Sequence, residues 1–284
     1  MDGYSNMRDR SEPESFEVVE VPLGFWARLW GLGGFRKTVV VLALALIWEV
    51  YAQILDNDLL FPTLSAVLVE FVAEMRTGAL LERAGVSIRL LLFGYALGFG
   101  LALFVNALAM ASQLARDALE TLTAMLNPLP AIALLPLALI WFGLGYGSII
   151  FVLLHSVLWP LALNIHAGFT SVPPTLRMVG RNYGLTGLRY MAQILIPAAF
   201  PSILAGLKIG WAFAWRTLIA AELVFGASSG GGGLGWFIYE RKNELAIPSV
   251  FAGLLTVILI GLFVEHALFR TLENRTVRRW GMQT

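Results

Sequence analysis

Cysteine is absent from this 284-residue chain, which excludes disulfides, thiolate metal sites and thiol catalysis. Charge is scarce as well: only 14% of residues are Asp, Glu, Lys or Arg, and 20 basic against 19 acidic side chains leave a formal net charge of +1. Such a balance provides no basic surface for a nucleic acid. No G-x-x-x-x-G-K-[S/T] cradle occurs, so this chain cannot hold a nucleotide by the usual amides and lysine, and any ATP-driven energy source must sit on another polypeptide. H-E-x-x-H is missing too, which removes the usual setting of a zinc hydrolase.

What is present in abundance is oil. Hydrophobic residues make up 58% of the chain and mean hydropathy is +0.74, beyond what a soluble core of this length requires. A bilayer core takes roughly 20 apolar residues in helix. Six runs meet that requirement, at 38–55, 88–112, 119–142, 148–170, 203–225 and 250–269. The third and fourth are separated at "GLGYG", Gly143 to Gly147, because no charged residue occurs from Thr121 to Leu176 and the stretch is too long for one crossing. Pro128, Pro130 and Pro136 should interrupt the third span. The fold class is therefore all-α, a polytopic membrane protein with six transmembrane helices. Residues 1–37 form an N-terminal tail with no cleavage-site pattern, 38–270 the membrane domain and 271–284 a C-terminal tail.

Between the first two spans, Leu64, Val67, Leu68, Phe71, Val72 and Met75 share a helical face opposite Ser65, Glu70, Glu74 and Arg76, which predicts a helix lying on the membrane or the bundle. Thirteen of the twenty Lys and Arg fall on the side of the two tails and the 171–202 loop. By the positive-inside rule, that side and both termini are cytoplasmic. The "SSGGGG" tract, Ser228 to Gly233, then lies outside and reads as a flexible turn or gate.

The 171–202 loop is a polar interruption in an apolar chain. Pro174 suits a helix start, and Arg177 and Arg181, four apart, share a face. Gly184 ends that helix, Leu185 enters the turn, and a second helical stretch runs through Ile194 to stop at Pro197. A short amphipathic helix displayed in this way suits a groove on a soluble partner, although a solvated connector has the same composition.

This loop resembles the signature segment of permease subunits of bacterial ABC importers: Glu-Ala-Ala, three residues, Gly, nine residues, Ile, one residue, Leu-Pro. Gly184 and Ile194 keep the spacing, Ile196 and Pro197 stand for Leu-Pro, and Met178, Val179 and Gly180 replace the triplet. The stretches "NPLPAIALLPLALIWFGLG", "LNIHAGFTSVP", "YGLTG", "ILIPAAFPSILAGLKIGWAFAWRTLIAAEL" and "GGLGWF" are similar to the nitrate, sulfonate, taurine and bicarbonate branch of that family. The resemblance covers about 38 to 270. It implies the type I permease fold, no catalysis and no cofactor on this chain, and ATP and Mg on a partner. It also implies two ATPase subunits, a second permease copy, an extracytoplasmic substrate-binding protein and residence in the inner membrane. The ATPase-coupling residues it implies are Pro174, Arg177, Arg181, Tyr183, Gly184, Leu185, Ile194 and Pro197, with Arg177 or Arg181 as the polar anchor in place of the lost glutamate.

Span five carries Lys208, Arg216 and Glu222, which fit within a helical sector of about 120°. Lys208 can snorkel to the cytoplasmic end, and Glu222 lies near the outer end, where a solvated or paired carboxylate is ordinary. Arg216 is at mid-span, where insertion costs about 2.5–3.5 kcal/mol. Two readings stand. Arg216 lines the translocation path and attracts an anionic solute, or it pairs with Glu222 or a helix-end carbonyl. Asn164 and Pro136 are further path candidates, the first by hydrogen bonding between helices and the second by breaking one. His155 and His166, about 16 Å apart along one face, are too distant to share a metal and read as satisfied bundle histidines. Gly94, Gly98, Gly100, Gly206 and Gly210 allow close helix packing. The rival readings are an ion-coupled secondary transporter using Arg216 and Glu222, and an intramembrane enzyme using His155, His166 and Glu222.

Overall fold

The computed structural model describes residues 30–225 and 232–277. Most of the N-terminal tail, Ser228 to Gly231 and the basic pair Arg278 and Arg279 lie outside the described residues. Among those described there is helix and no strand. The chain divides at Val50 into two units. The described part of the first, Trp30 to Val50, carries most of α1 (Gly33–Leu55), whose Val41, Leu42, Leu46 and Ile47 are exposed, as suits a span facing lipid.

In the second unit, α2 (Leu64–Thr77) starts at Thr63, whose Oγ1 accepts from the Ala66 N–H at 3.2 Å. Its expected apolar face is only partly turned inward: Val67 is buried and Phe71 and Met75 pack on the core. Leu68, Val69 and Val72 are exposed, whereas Glu74 is buried and pairs with Arg241 at 2.8 Å, and Glu70 accepts from Ser249 Oγ at 2.9 Å. The hydrocarbon solvent explains this: apolar side chains are at home facing lipid, and carboxylates must find protein partners.

α3 (Ala79–Ala111) begins nine residues before the apolar run that marks it, because Arg83 at its start is held by Glu240 and the Gly232 carbonyl, each at 3.3 Å. The third span is a broken one. α4 (Gln113–Leu126) and the stretch Ala131–Phe142, a 3-10 turn followed by α5 (Leu135–Phe142), meet at 92° around Asn127 to Pro130. Two prolines within four residues leave no continuous hydrogen-bond ladder there. Gly143 closes α5 at φ 71 and α6 (Tyr146–Thr170) follows, forming the expected hairpin.

α6 is the centre of the bundle, with Leu153, Val157, Leu161 and Ile165 fully buried between α3 and α9 (Phe200–Phe225). The approach is close enough to need glycine. A Cβ on Gly98 would lie 2.8 Å from Val157 Cβ, and one on Gly206 would lie 2.7 Å from Asn164 Cβ. Gly100 and Gly210 carry no such constraint: nothing lies within 4 Å of the first, and the second makes ordinary contact at 3.7 Å.

In the 171–202 segment, α7 (Pro174–Asn182) and α8 (Gly187–Tyr190) flank the Gly184 turn. Pro197 does not stop the second helix. A π-turn, Met191–Leu195, shifts the bonding register so that a helical turn, Ile196–Ala198, accommodates the missing proline N–H, and Pro201 falls in the first turn of α9. After α9 come α10 (Leu234–Asn243) and α11 (Ile247–Phe263), which continues through a π-turn to α12 (Arg270–Arg275). That last span runs past residue 269 because Lys208 of α9 holds Glu273 in an ion pair. Five described helices are long and apolar enough to cross a membrane, or six with the broken pair.

Candidate functional site

Arg216 and Glu222 of α9 have opposite surroundings. Glu222 is buried, and its carboxylate is fully engaged. Ser87 Oγ of α3 lies 2.8 Å from both oxygens, and the Gly235 N–H donates to Oε2 at 2.9 Å. Ser87 Oγ in turn accepts from the Leu234 N–H at 2.9 Å. The carboxylate therefore sits on the free amides that open α10, where a negative charge is favoured by the helix dipole. The "GGLG" sequence permits this seat: a Cβ on Gly235 would fall 2.5 Å from the Ile219 carbonyl, and one on Gly233 would strike Glu222 and Ser87. Glu222 is thus a latch that pins the 232–235 segment to α3 and α9. It is not a solvated carboxylate, and it does not line the cavity described below. A second layer of charge surrounds α10. Burial works to lower the proton affinity of Arg241, but Glu244, Glu74 and Glu240 outweigh it and hold the guanidinium above its ordinary pKa.

Arg216 has no such company. A cavity of about 420 Å³ lies between the 126–132 break, the middle of α6 and α9, and Arg216 lines it with His155, Ser156, Trp159 and Thr217. No acidic residue lines it. The guanidinium donates from Nε to the Ala212 carbonyl at 3.0 Å and stacks 5.2 Å from the Phe213 ring centroid, and among the described residues it forms no ion pair. The Arg216–Glu222 pair is therefore not formed. A shared sector on a helical wheel does not put two side chains on one partner, because here Glu222 is taken by α3 and α10.

His155 also departs from expectation. It is buried, and neither ring nitrogen has a hydrogen-bond partner; the same is true of Trp159 Nε1, one turn further along α6. Pro160 adds to the polarity here by lacking the N–H that would bond the Ser156 carbonyl. Of the other path candidates, Asn164 bonds its own helix at the Pro160 carbonyl, 2.7 Å away, and faces Gly206, while Pro136 is exposed at the start of α5. The bond between helices comes instead from Asn106, whose Nδ2 reaches the Ala162 carbonyl at 3.2 Å. Only its position in an apolar run could have marked Asn106. His166 pairs with Glu120 at 3.2 Å, joining α6 to α4. Among the described residues, no three metal-ligating side chains converge.

The 171–202 segment is a folded prong. Its α7 ends in a Schellman turn: the Leu185 N–H bonds the Gly180 carbonyl, the Gly184 N–H bonds that of Arg181, and Gly184 takes φ 69. Gly180, where the family triplet would end in Ala, is packed on Tyr190 and Ile194; a Cβ there would lie 2.8 Å from Tyr190 Cε2. The ring therefore fills the place of the missing methyl. Arg177 turns back on its own chain, donating to the Phe169, Thr170 and Val172 carbonyls at 2.6, 3.1 and 3.0 Å, which caps α6. Arg181 is exposed, as are Leu176, Met178, Val179, Tyr183 and Pro197.

Residues 94–278 match the family described as binding-protein-dependent transport system inner membrane component. The chain is similar to a putative ABC transporter permease of Methanocaldococcus jannaschii, at 32% identity over 81% of this chain and 86% of the relative. It is similar to a nitrate import permease of Synechocystis, at 30% over 81% and 85%, and to a putative aliphatic sulfonate permease of Bacillus subtilis, at 28% over 87% and 88%.

Proposed function

The chain belongs to the family of binding-protein-dependent inner-membrane transport components, and on that premise we propose that it passes a small anionic solute through the Arg216 cavity while its prong takes force from separate ATPase subunits. It is the membrane-spanning permease subunit of an ABC importer of the nitrate, sulfonate and taurine branch. In the proposed assembly two copies form the path, two ATPase subunits hold ATP and Mg, and a binding protein delivers solute to the face opposite the prong. Both termini are then cytoplasmic. The cargo is of the nitrate, sulfonate, taurine, bicarbonate or organic-acid kind.

One observation carries this reading: Arg177 fastens α7 to the carbonyl end of α6, the same helix that supplies His155 and Trp159 to the cavity. Motion of the prong is thereby motion of a cavity wall, which is what alternating access requires. The exposed Leu176, Val179 and Tyr183 on one side of α7, with Met178 and Arg181 exposed on the other, suit a cleft on a partner. An ion-coupled carrier built on an Arg216–Glu222 pair is disfavoured, because those side chains have different partners.

The test is reconstitution with the ATPase subunits and binding protein in liposomes. ATP-dependent uptake that survives in wild type and is lost in Arg181→Glu, with the complex no longer co-purifying, supports coupling through the prong. Gradient-driven uptake by the isolated chain refutes it.

A further inference from the structure

The cavity beside Arg216 has a composition that the transport reading alone does not require. Of its lining residues, Arg216 is the one that is always charged, Asn127, Ser156 and Thr217 are neutral and polar, and the remainder apart from His155 and Trp159 are apolar. Among the described residues only Nε of the guanidinium has an acceptor, leaving two NH₂ groups as a fork for an oxyanion. In the wall beside it, among the described residues, are three nitrogens without partners: two on His155, one of which carries a proton in the neutral ring, and the N–H of Trp159. Burying donors unsatisfied is costly, and groups kept in that state call for an acceptor that arrives from elsewhere. A space of about 420 Å³ is at the small end of ligand pockets. It admits a compact ion with some water.

We propose that this cavity is a charge-selective binding stop for small monovalent oxyanions, held by the Arg216 fork and by N–H groups of His155 and Trp159. The proposal rests on the import reading and adds to it that the membrane chain itself discriminates its cargo by charge. The reason is electrostatic. One guanidinium neutralises one negative charge, and a dianion would carry its second charge into a half-open, mostly apolar cleft whose wall holds no second permanent cation to meet it. Because the nitrogens of His155 and Trp159 are sealed in this conformation, their rings must turn toward the guest, which makes binding sensitive to the state of the wall.

The absence of cysteine makes the chain its own reporter background. Ala220→Cys and Thr217→Cys, each placed in the cavity wall, are to be made in the full complex in lipid nanodiscs at mildly alkaline pH, where an ordinary imidazole is uncharged. Reaction rates are compared for an anionic sulfonatoethyl and a cationic trimethylammonioethyl methanethiosulfonate, each relative to a free thiol. The anionic reagent is expected to lead by about tenfold, as a local potential of a few kT dictates. Nitrate and methanesulfonate should protect the thiol at concentrations about tenfold below those at which sulfate does. Arg216→Gln should abolish both the preference and the protection, whereas His155→Phe and Trp159→Phe should weaken protection and leave the reagent preference.

Equal rates for the two reagents, sulfate protecting as well as nitrate, or no reaction at either position with or without ATP would each overturn the proposal. ATP-driven uptake measured on the same preparations separates the two readings. Intact uptake with no anion preference sinks the binding stop alone, and an intact preference without uptake sinks the import assignment.

Discussion

Glu222 and Arg216 stand six residues apart on one helix and have been solved by the fold in opposite ways. The carboxylate is saturated, with hydrogen bonds from Ser87 and Gly235, and it closes the structure at one end of the bundle. Among the described residues the exposed guanidinium gives a single N–H to its own helix, and it lines a cavity whose wall holds no acid. A buried carboxylate with both oxygens held is architecture. An exposed guanidinium with N–H groups to spare, beside a space, is available to a guest. The difference lies not in the residues' own chemistry but in what α3, α6 and α10 bring to them.

The strongest way to break this contrast is to attack the saturated end. Glu222→Leu strips partners from Ser87 and the first amides of α10, each loss worth about 1–3 kcal/mol, and Gly235→Val should act likewise through overpacking, at about 1–3 kcal/mol. Both are expected to lower the thermal midpoint of the purified chain and abolish uptake. A midpoint unchanged in Glu222→Leu would remove the latch from the account. Arg216→Gln is expected to behave differently: uptake at limiting solute falls about tenfold, as loss of a charge-assisted hydrogen bond predicts, with the midpoint held. A fall in stability equal to that of Glu222→Leu would make the two charges alike.

Smaller effects sharpen the picture. Arg177→Ala frees three carbonyls at the end of α6 and should reduce solute moved per ATP hydrolysed several-fold while leaving the ATPase bound; unaltered stoichiometry would show that prong and wall are not fastened there. Gly180→Ala should cost at most about 1–3 kcal/mol, measured as a lower midpoint, and Tyr190→Leu should recover most of it by clearing the ring. Ser249→Ala, which loses one bond to Glu70, is expected to cost about 1 kcal/mol with uptake unchanged.

Spans, the hairpin at Gly143 and the Gly184 turn were legible because hydropathy, glycine and proline act locally. The broken third span was announced by Pro128 and Pro130. Other features depend on partners distant in sequence and left no local mark. The acidic face of α2 looks like a wetted surface until Arg241 and Ser249 are brought to it. Glu222 looks solvated until Ser87, 135 positions away, closes on it. His155 reads as an ordinary bundle histidine, since nothing in its neighbourhood along the chain says that acceptors will be missing. Pro197 reads as a stop, because a π-turn that absorbs a proline has no sequence signature of its own.

That π-turn has a further consequence. It lets the backbone run from Gly187 to Phe225 with only a brief turn at Ala199, across which Ala199 bonds Leu195 and Ile203 bonds Ala199. The prong is thus tied twice, by guanidinium to α6 and by unbroken backbone to α9. Those helices are the two blades on either side of the cavity. Under the proposed coupling, a shove at the tip is expected to reach both blades together.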